Sequence, residues 1–184
     1  MLYFITSNQN KIFLAKKNLE PLGIEIETKP FEIPEIQSDN DAEIAMKKAV
    51  DAYALLQKPL FVSDDSWYIT ALRGFPGAYM KYVNQWLTPD DFLRLIAPYH
   101  NKEVILRQTL CFTDGKETKV FSQDNKGIFL EEPHGAGHPI LQIVSFTEDE
   151  TSFATCVEEN RNPIDNTNLW KEFGQWYLSR GQAR

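Results

Sequence analysis

The sequence predicts an α/β fold built on a mixed β-sheet. Short apolar runs of strand length alternate with longer stretches of helical spacing in the first third of the chain. A polar turn follows the first strand at once and opens a helix. The second half carries hairpin signals in place of further strand–helix alternation.

The elements follow in order. Residues 2–5 (Leu-Tyr-Phe-Ile) read as a short buried strand. After the polar run 6–10, Ile12, Leu14, Ala15, Leu19 and Leu22 recur at helical spacing and Gly23 closes the helix. Ile24 and Ile26 alternate with Glu25 and Glu27, which predicts a second strand. Residues 30–40 form a polar, proline-punctuated loop. Asp41 is then placed to cap a helix carrying Ile44, Ala45, Ala49, Ala52, Tyr53 and Leu56. Leu60-Phe61-Val62 is a buried strand running into Asp64-Asp65-Ser66, with residues 67–72 continuing extended until Gly74-Phe75-Pro76-Gly77 breaks the chain. Thr88-Pro89-Asp90-Asp91 starts a helix with a capping hydroxyl, an early proline and early acids. Residues 104–113 and 118–121 flank Asp114-Gly115, a strong hairpin signal. Residues 128–130 and 140–144 predict further strands, and Leu169, Trp170, Phe173, Trp176 and Tyr177 an amphipathic closing helix.

Composition narrows the function classes. The 184 residues, 42% hydrophobic and 24% charged, are ordinary for one domain, 1–184, with its own core. A formal net charge of −7 argues against a nucleic-acid partner, which asks for a basic stripe. A small polyanion remains possible where a divalent metal supplies positive charge. Cys111 and Cys156 lack metal-ligand spacing and read as reduced, buried thiols. No apolar run reaches membrane-spanning length, and the start of the chain lacks a signal-peptide pattern, so the expected location is cytoplasmic.

Three features point to phosphate chemistry. Thr6-Ser7-Asn8-Gln9-Asn10-Lys11 joins a strand to a helix start, where free N–H groups, hydroxyls and the Lys11 charge suit an anion and Asn8 suits a tight loop. Asp64-Asp65-Ser66 ends a buried strand, where adjacent acids are costly unless they are solvated or bind a metal. Magnesium takes one or two carboxylates together with phosphate oxygens and water. Glu35, in the loop, is a candidate second carboxylate, and Lys48, on the helix, a candidate phosphate contact. Each also has an ordinary reading as a polar turn, an acidic turn or plain surface.

Taken together and in this order, these segments resemble the inosine triphosphatase (Ham1-like) family over nearly the whole chain. Thr6-Ser7-Asn8-x-x-Lys11 resembles its phosphate loop. Ile33-Pro34-Glu35-Ile36-Gln37 and Glu43-Ile44-Ala45-x-x-Lys48-Ala49 are similar to its metal-glutamate segment and the helix that follows. Asp64-Asp65-Ser66 is similar to its catalytic acid segment, and Leu72-Arg73-Gly74-Phe75-Pro76-Gly77-Ala78-Tyr79 to its proline–glycine turn. The resemblance implies a long, bent mixed sheet with flanking helices forming two lobes around a central cleft, and a homodimer. It implies magnesium-dependent hydrolysis of a nucleoside triphosphate to the monophosphate and pyrophosphate, with manganese (Mn2+) as a substitute for Mg2+. The roles implied are Glu35 and Asp65 on the metal, Asp65 also orienting or deprotonating water, and Asp64 as an alternate ligand. Thr6, Ser7, Asn8, Lys11, Lys48, Ser66 and Arg161 hold the substrate.

The chain also departs from the family. Trp67 stands where a small residue is usual, and it either stacks on a base or fills space. Pro133-His134-Gly135-Ala136-Gly137-His138-Pro139 replaces the base-binding segment, with His138 in place of an aspartate. Asp165-Asn166-Thr167 replaces a serine–histidine–arginine motif. The phosphate half is kept and the base half rewritten, so relaxed or altered base choice is expected. Two rivals remain: a nucleotide-binding module that has lost catalysis, and a haloacid-type phosphatase. The second needs an aspartate at the end of the first strand, where Thr6-Ser7-Asn8 stands.

Overall fold

The computed structural model describes residues 1–182 and contains seven strands and seven helices among them. The order is β1 (Leu2–Ile5), α1 (Gln9–Leu19), β2 (Ile26–Lys29), α2 (Asp41–Leu56), β3 (Leu60–Ile69), β4 (Pro76–Gly77), α3 (Met80–Trp86) and α4 (Pro89–Ile96). Then come β5 (Glu103–Thr113), β6 (Thr118–Phe129), α5 (Pro139–Gln142), β7 (Val144–Ser145), α6 (Phe153–Glu158) and α7 (Thr167–Gln182). The sheet runs β2-β1-β3-β5-β6-β7, with β4 paired to β3. β1 is parallel to β2 and β3, with Phe4 opposite Phe61; β4 and β7 pair antiparallel. The sheet is therefore mixed, as the alternation followed by hairpins predicts.

The chain divides into two compact units. The first comprises residues 1–64, 108–123 and 166 onward; the second comprises 65–107 and 124–165. β3, β5 and β6 each begin in one unit and end in the other.

The first unit buries both faces of its strands. On one face Leu2, Phe4, Phe61, Leu110, Phe112 and Phe121 pack against Ala15 and Leu19 of α1 and Leu169, Trp170 and Phe173 of α7. Phe61 stacks on Phe4 with ring centroids 4.2 Å apart and lies 5.0 Å from Phe173. On the other face Ile5, Leu60, Val62 and Cys111 meet the small residues Ala45, Ala49 and Ala52, which let α2 lie close to the strands. The β5–β6 turn uses Asp114 as an acceptor for the Lys116 and Glu117 N–H groups. Gly115 is required there twice over, because φ is +82° and an added Cβ would strike the Tyr53 ring. Arg180 of α7 binds Asp114 and Glu117 while its guanidinium lies 4.3 Å from the Phe112 ring. Burial raises the Asp114 carboxyl, but the turn N–H groups and Arg180 outweigh it and hold it down at about 2.

The second unit packs Trp67 and Ile69 of β3, Val104 and Leu106 of β5 and Phe129 of β6 against Met80, Val83, Phe92 and Ile96 of α3 and α4. Phe146 and Phe153 meet the Trp67 ring at 5.9 and 6.1 Å.

Several elements differ from the sequence expectation. Asn40, not Asp41, caps α2, accepting from the Ala42 and Glu43 N–H groups; Asp41 is the first helical residue and is buried. β3 stops at Ile69, and 70–72 form a 3-10 turn whose end is fixed by Arg73 at positive φ. The strands expected at 118–121 and 128–130 are one twelve-residue strand, β6. The strand expected at 140–144 is the short helix α5 followed by β7, because Pro139 presets a helical first turn. No helix among the described residues is long and apolar enough to cross a membrane.

Candidate active site

Parallel pairing puts the C-terminal ends of β1 and β3 side by side, and the polar segments follow from those ends. Thr6 is tied by its N–H to the Lys29 carbonyl, and its hydroxyl accepts from the Asn8 N–H at 3.1 Å. Asn8 has ordinary extended backbone angles. Its role is a cap: Oδ1 accepts from the Asn10 and Lys11 N–H groups at 3.0 and 3.2 Å. Those two donors of α1 are thus occupied, and an anion binding there must displace the Asn8 side chain or use the other N–H groups. Ser7 is exposed at the same corner. The Lys11 ammonium donates to the Ser63 carbonyl at 3.3 Å, which joins the turn to β3.

Lys48 is the centre of the ionic cluster. Its ammonium donates to Glu35 at 2.7 Å and to Asp64 at 2.6 Å, so one nitrogen holds two carboxylates together. Residues 35 and 48 meet because the loop before α2 folds back along the helix, anchored by the Asn40 cap and the Ser38–Glu43 hydrogen bond. Burial works to lower the Lys48 pKa, but Asp64 and Glu35 outweigh it and hold it above the usual lysine value. Burial raises Asp64 above the usual carboxylate range, and Lys48 and Lys11 offset only part of that. The contact favours the ammonium while the acid bears the desolvation. Asp64 Oδ2 is buried with no hydrogen-bond partner among the described residues.

Strand alternation separates the two aspartates. Leu60 and Val62 belong to the core beneath α2, and Asp64 continues that face; Phe61 belongs to the core beneath α1 and α7, and Ser63 and Asp65 continue the other. Ser66 is buried. The structure therefore unites Glu35, Lys48 and Asp64 directly, links Lys11 to the neighbouring Ser63, and sets Asp65 on the alternate face of β3. Arg161 lies in the second unit, with its guanidinium bonded to Glu159 and Asp149. The residue that sequence reasoning missed is Ser63, which contributes through its backbone carbonyl and so leaves no side-chain signal.

The donor set fits a hard divalent cation. It is all oxygen: the Glu35 and Asp64 carboxylates meet on Lys48, and Asp64 carries an orphaned oxygen. No cluster of three or more His, Cys, Asp or Glu side chains stands ready among the described residues. Burial, with the Asp64 charge nearby, pushes the Cys111 thiol up to about 12, so it stays protonated and unreactive. Trp67 is 7% exposed and fills the core of the second unit, which settles its role as packing.

Known proteins share this chain's sequence and fold. The family model described as "Ham1 family" matches residues 2–167. The chain is 31% identical over 180 residues to a dITP/XTP pyrophosphatase of Thermococcus kodakarensis, covering 95% of this chain and 96% of that protein. It is 32% identical over 185 residues to a dITP/XTP pyrophosphatase of Methanopyrus kandleri, covering 98% of each. The fold is similar to that of the Ham1 protein of Staphylococcus aureus, with a TM-score of 0.76 at 19% identity and 98% coverage of both chains. A HAM1 protein of Coxiella burnetii gives a TM-score of 0.77 at 17% identity, covering 97% of this chain and 98% of that one.

Proposed function

The chain belongs to the Ham1 family, and from that premise we propose that it hydrolyses non-canonical purine nucleoside triphosphates to the monophosphate and pyrophosphate. The observation that carries this reading is the cluster of Lys48 with Glu35 and Asp64 beside the turn that Lys11 ties to β3. The names of the relatives, dITP/XTP pyrophosphatases, support the substrate class.

Glu35 and Asp65 would hold a magnesium ion, with manganese as a substitute, once the Asp65 carboxylate turns from the other face of β3; Asp64, already beside Glu35 on Lys48, would be the alternate ligand through its Oδ2. The bound ion supplies positive charge that neutralises the triphosphate. Thr6, Ser7 and Asn8 donate to phosphate oxygens, Lys11 and Lys48 balance their charge, and Ser66 helps fix the α-phosphate. Arg161 joins the substrate contacts only on leaving Glu159 and Asp149. Asp65 orients a water and takes its proton as the water oxygen bonds to the α-phosphorus. The bond from that phosphorus to the bridging oxygen breaks, and pyrophosphate leaves with the electron pair. Little covalent work falls to the protein, so positioning and electrostatics carry the rate.

A panel of inosine, xanthosine, adenosine and guanosine triphosphates, assayed for pyrophosphate, tests the reaction. Turnover is expected with magnesium or manganese and is lost on chelation. With the base half rewritten, inosine and xanthosine triphosphates are favoured by less than about a thousandfold, roughly 4 kcal/mol. A larger preference overturns the relaxed-specificity reading. An absence of turnover with every triphosphate favours the nucleotide-binding module that has lost catalysis.

The chain assembles as a homodimer in the cytoplasm, through residues 74–85 and the aromatics Tyr79, Tyr82 and Trp86. Met80 and Val83 face the core, while Tyr82 and Trp86 stack at 6.3 Å on the outer side of α3, 44% and 73% exposed. Such aromatics suit the buried centre of an interface. Light scattering is expected to give a dimer at micromolar protein; a monomer removes this assignment. Nucleic acid and membrane are not among the proposed partners.

A further inference from the structure

We propose that Lys48 is a resident cation: its ammonium occupies Glu35 and Asp64 in the place of a divalent metal, and it surrenders them only when a triphosphate offers it other oxygens. Metal binding is thereby made conditional on substrate. This rests on the roles proposed above for the metal and the phosphates, and it adds the order in which they arrive.

The observation is one nitrogen between two acids. The Lys48 Nζ lies 2.7 Å from Glu35 Oε1 and 2.6 Å from Asp64 Oδ1. The Lys48 and Asp64 side chains are 16% and 17% exposed, and that of Glu35 is 38% exposed. Two carboxylates repel each other, so a loop acid and a strand acid are brought together only across a positive charge. An ammonium has three donors, and two are used here. The three groups come from the loop before α2, from α2 and from β3, all within the first unit.

A divalent metal asks for the same oxygens. Asp64 Oδ2 has no hydrogen-bond partner among the described residues and gives a metal one foothold, but the ammonium sits on the other oxygen of that carboxylate. A metal binding there meets a like charge across a single carboxylate, in a part-buried site where salt and water screen it poorly. Metal alone must therefore drive Lys48 off the acids, and the exchange itself offers the ammonium no new partner.

The triphosphate supplies that partner. Lys11 of the phosphate turn donates to the Ser63 carbonyl at 3.3 Å, and Lys48 donates to Asp64, the next residue of β3. The two ammonium groups are thus anchored on consecutive residues, and phosphate oxygens drawn to Lys11 come within the sweep of the four-carbon Lys48 stem. An arginine would hold the acids in a rigid fork, whereas a lysine is a point charge that moves. When Lys48 transfers to phosphate oxygens, Glu35 and Asp64 open to the metal that accompanies the substrate. Without substrate the two acids stay covered.

Manganese binding followed by electron paramagnetic resonance, with the full chain and no nucleotide, tests the exchange without turnover. Lys48→Met keeps the stem and removes the charge. It is expected to bind manganese about tenfold or more tightly than wild type does, and inorganic triphosphate, by calorimetry without metal, about tenfold or more weakly. A lysine that serves only as a phosphate contact or a structural tie leaves manganese affinity unchanged or lowered in this variant, and that result overturns the proposal. Lys48→Arg retains the charge and is expected to keep manganese affinity within about threefold of wild type. Tightening as large as in Lys48→Met overturns the proposal too. Titration of magnesium into nucleotide-free wild type is a check that survives misfolding of both variants. Saturation is expected only at about millimolar magnesium, and saturation at about micromolar magnesium overturns the proposal. Tighter manganese binding in Lys48→Met, beside a wild type that releases pyrophosphate from no triphosphate, upholds the exchange and overturns the reaction alone.

Discussion

Replacing Asp65 with Asn is expected to lower the rate of the chemical step by about a hundredfold or more, equal to about 2.7 kcal/mol in the barrier. The substitution keeps shape and volume and removes both the charge and the oxygen proposed to accept the proton. Asp64→Asn separates the roles of the two acids. Asp64 lies on the opposite face and is held by Lys48, so its loss releases a lysine that still has Glu35 as a partner. The Asp64→Asn enzyme is expected to need more metal while keeping more of its turnover at saturating metal. Single-turnover rates across a magnesium titration measure both effects. Near-normal chemistry in Asp65→Asn, with the hundredfold loss appearing in Asp64→Asn, would assign the water to the other face of β3.

The largest expected effect on stability comes from Phe61→Ala. Phe61 is fully buried, stacks on Phe4 and meets Trp170 and Phe173. The truncation removes the residue that joins β1, β3 and α7 and leaves a cavity among rigid rings. A cost of about 3–5 kcal/mol is expected, or roughly 10 °C in Tm for a chain of this length. Trp170 lies against the deleted ring, so its fluorescence follows the loss directly in a denaturant titration. A loss below about 1 kcal/mol would mean that the neighbouring aromatics close over the gap.

The legible part of the fold was the part governed by period. The stripe of α2, the buried runs of β1 and β3, the Asp-Gly turn and the aromatic face of α7 all follow from spacing that a single segment carries by itself. Residues 140–144 predict a strand only because a five-residue apolar run has no period of its own; Pro139 starts a helix there instead. Asn40 and Asp41 are both good caps, and only backbone geometry separates them. In the site, Glu35 and Lys48 were legible as residue types, but their meeting depends on a loop whose path no pattern encodes. Adjacent aspartates look equivalent in sequence, whereas the pleat of β3 points them to opposite faces. Trp67 carried two readings because a large ring can stack or fill, and burial against Phe146 and Phe153 chose the second.

The first unit is assembled from three separated stretches, and its core contains both Leu2 and Phe173. On a translating ribosome, which adds about 5–20 residues each second, the aromatic half of that core arrives roughly 10–30 s after the first strand. Until then Phe4 and Phe61 have each other but not Trp170 or Phe173, and the apolar face of β1 and β3 stays open to water. The second unit, whose residues all precede position 166, closes over a shorter stretch, from Trp67 to Ile164. The order of synthesis therefore gives the nascent chain a period in which one half has its complete sequence and the other still lacks its closing helix, and the Arg180 contacts to Asp114 and Glu117 are among the last to form.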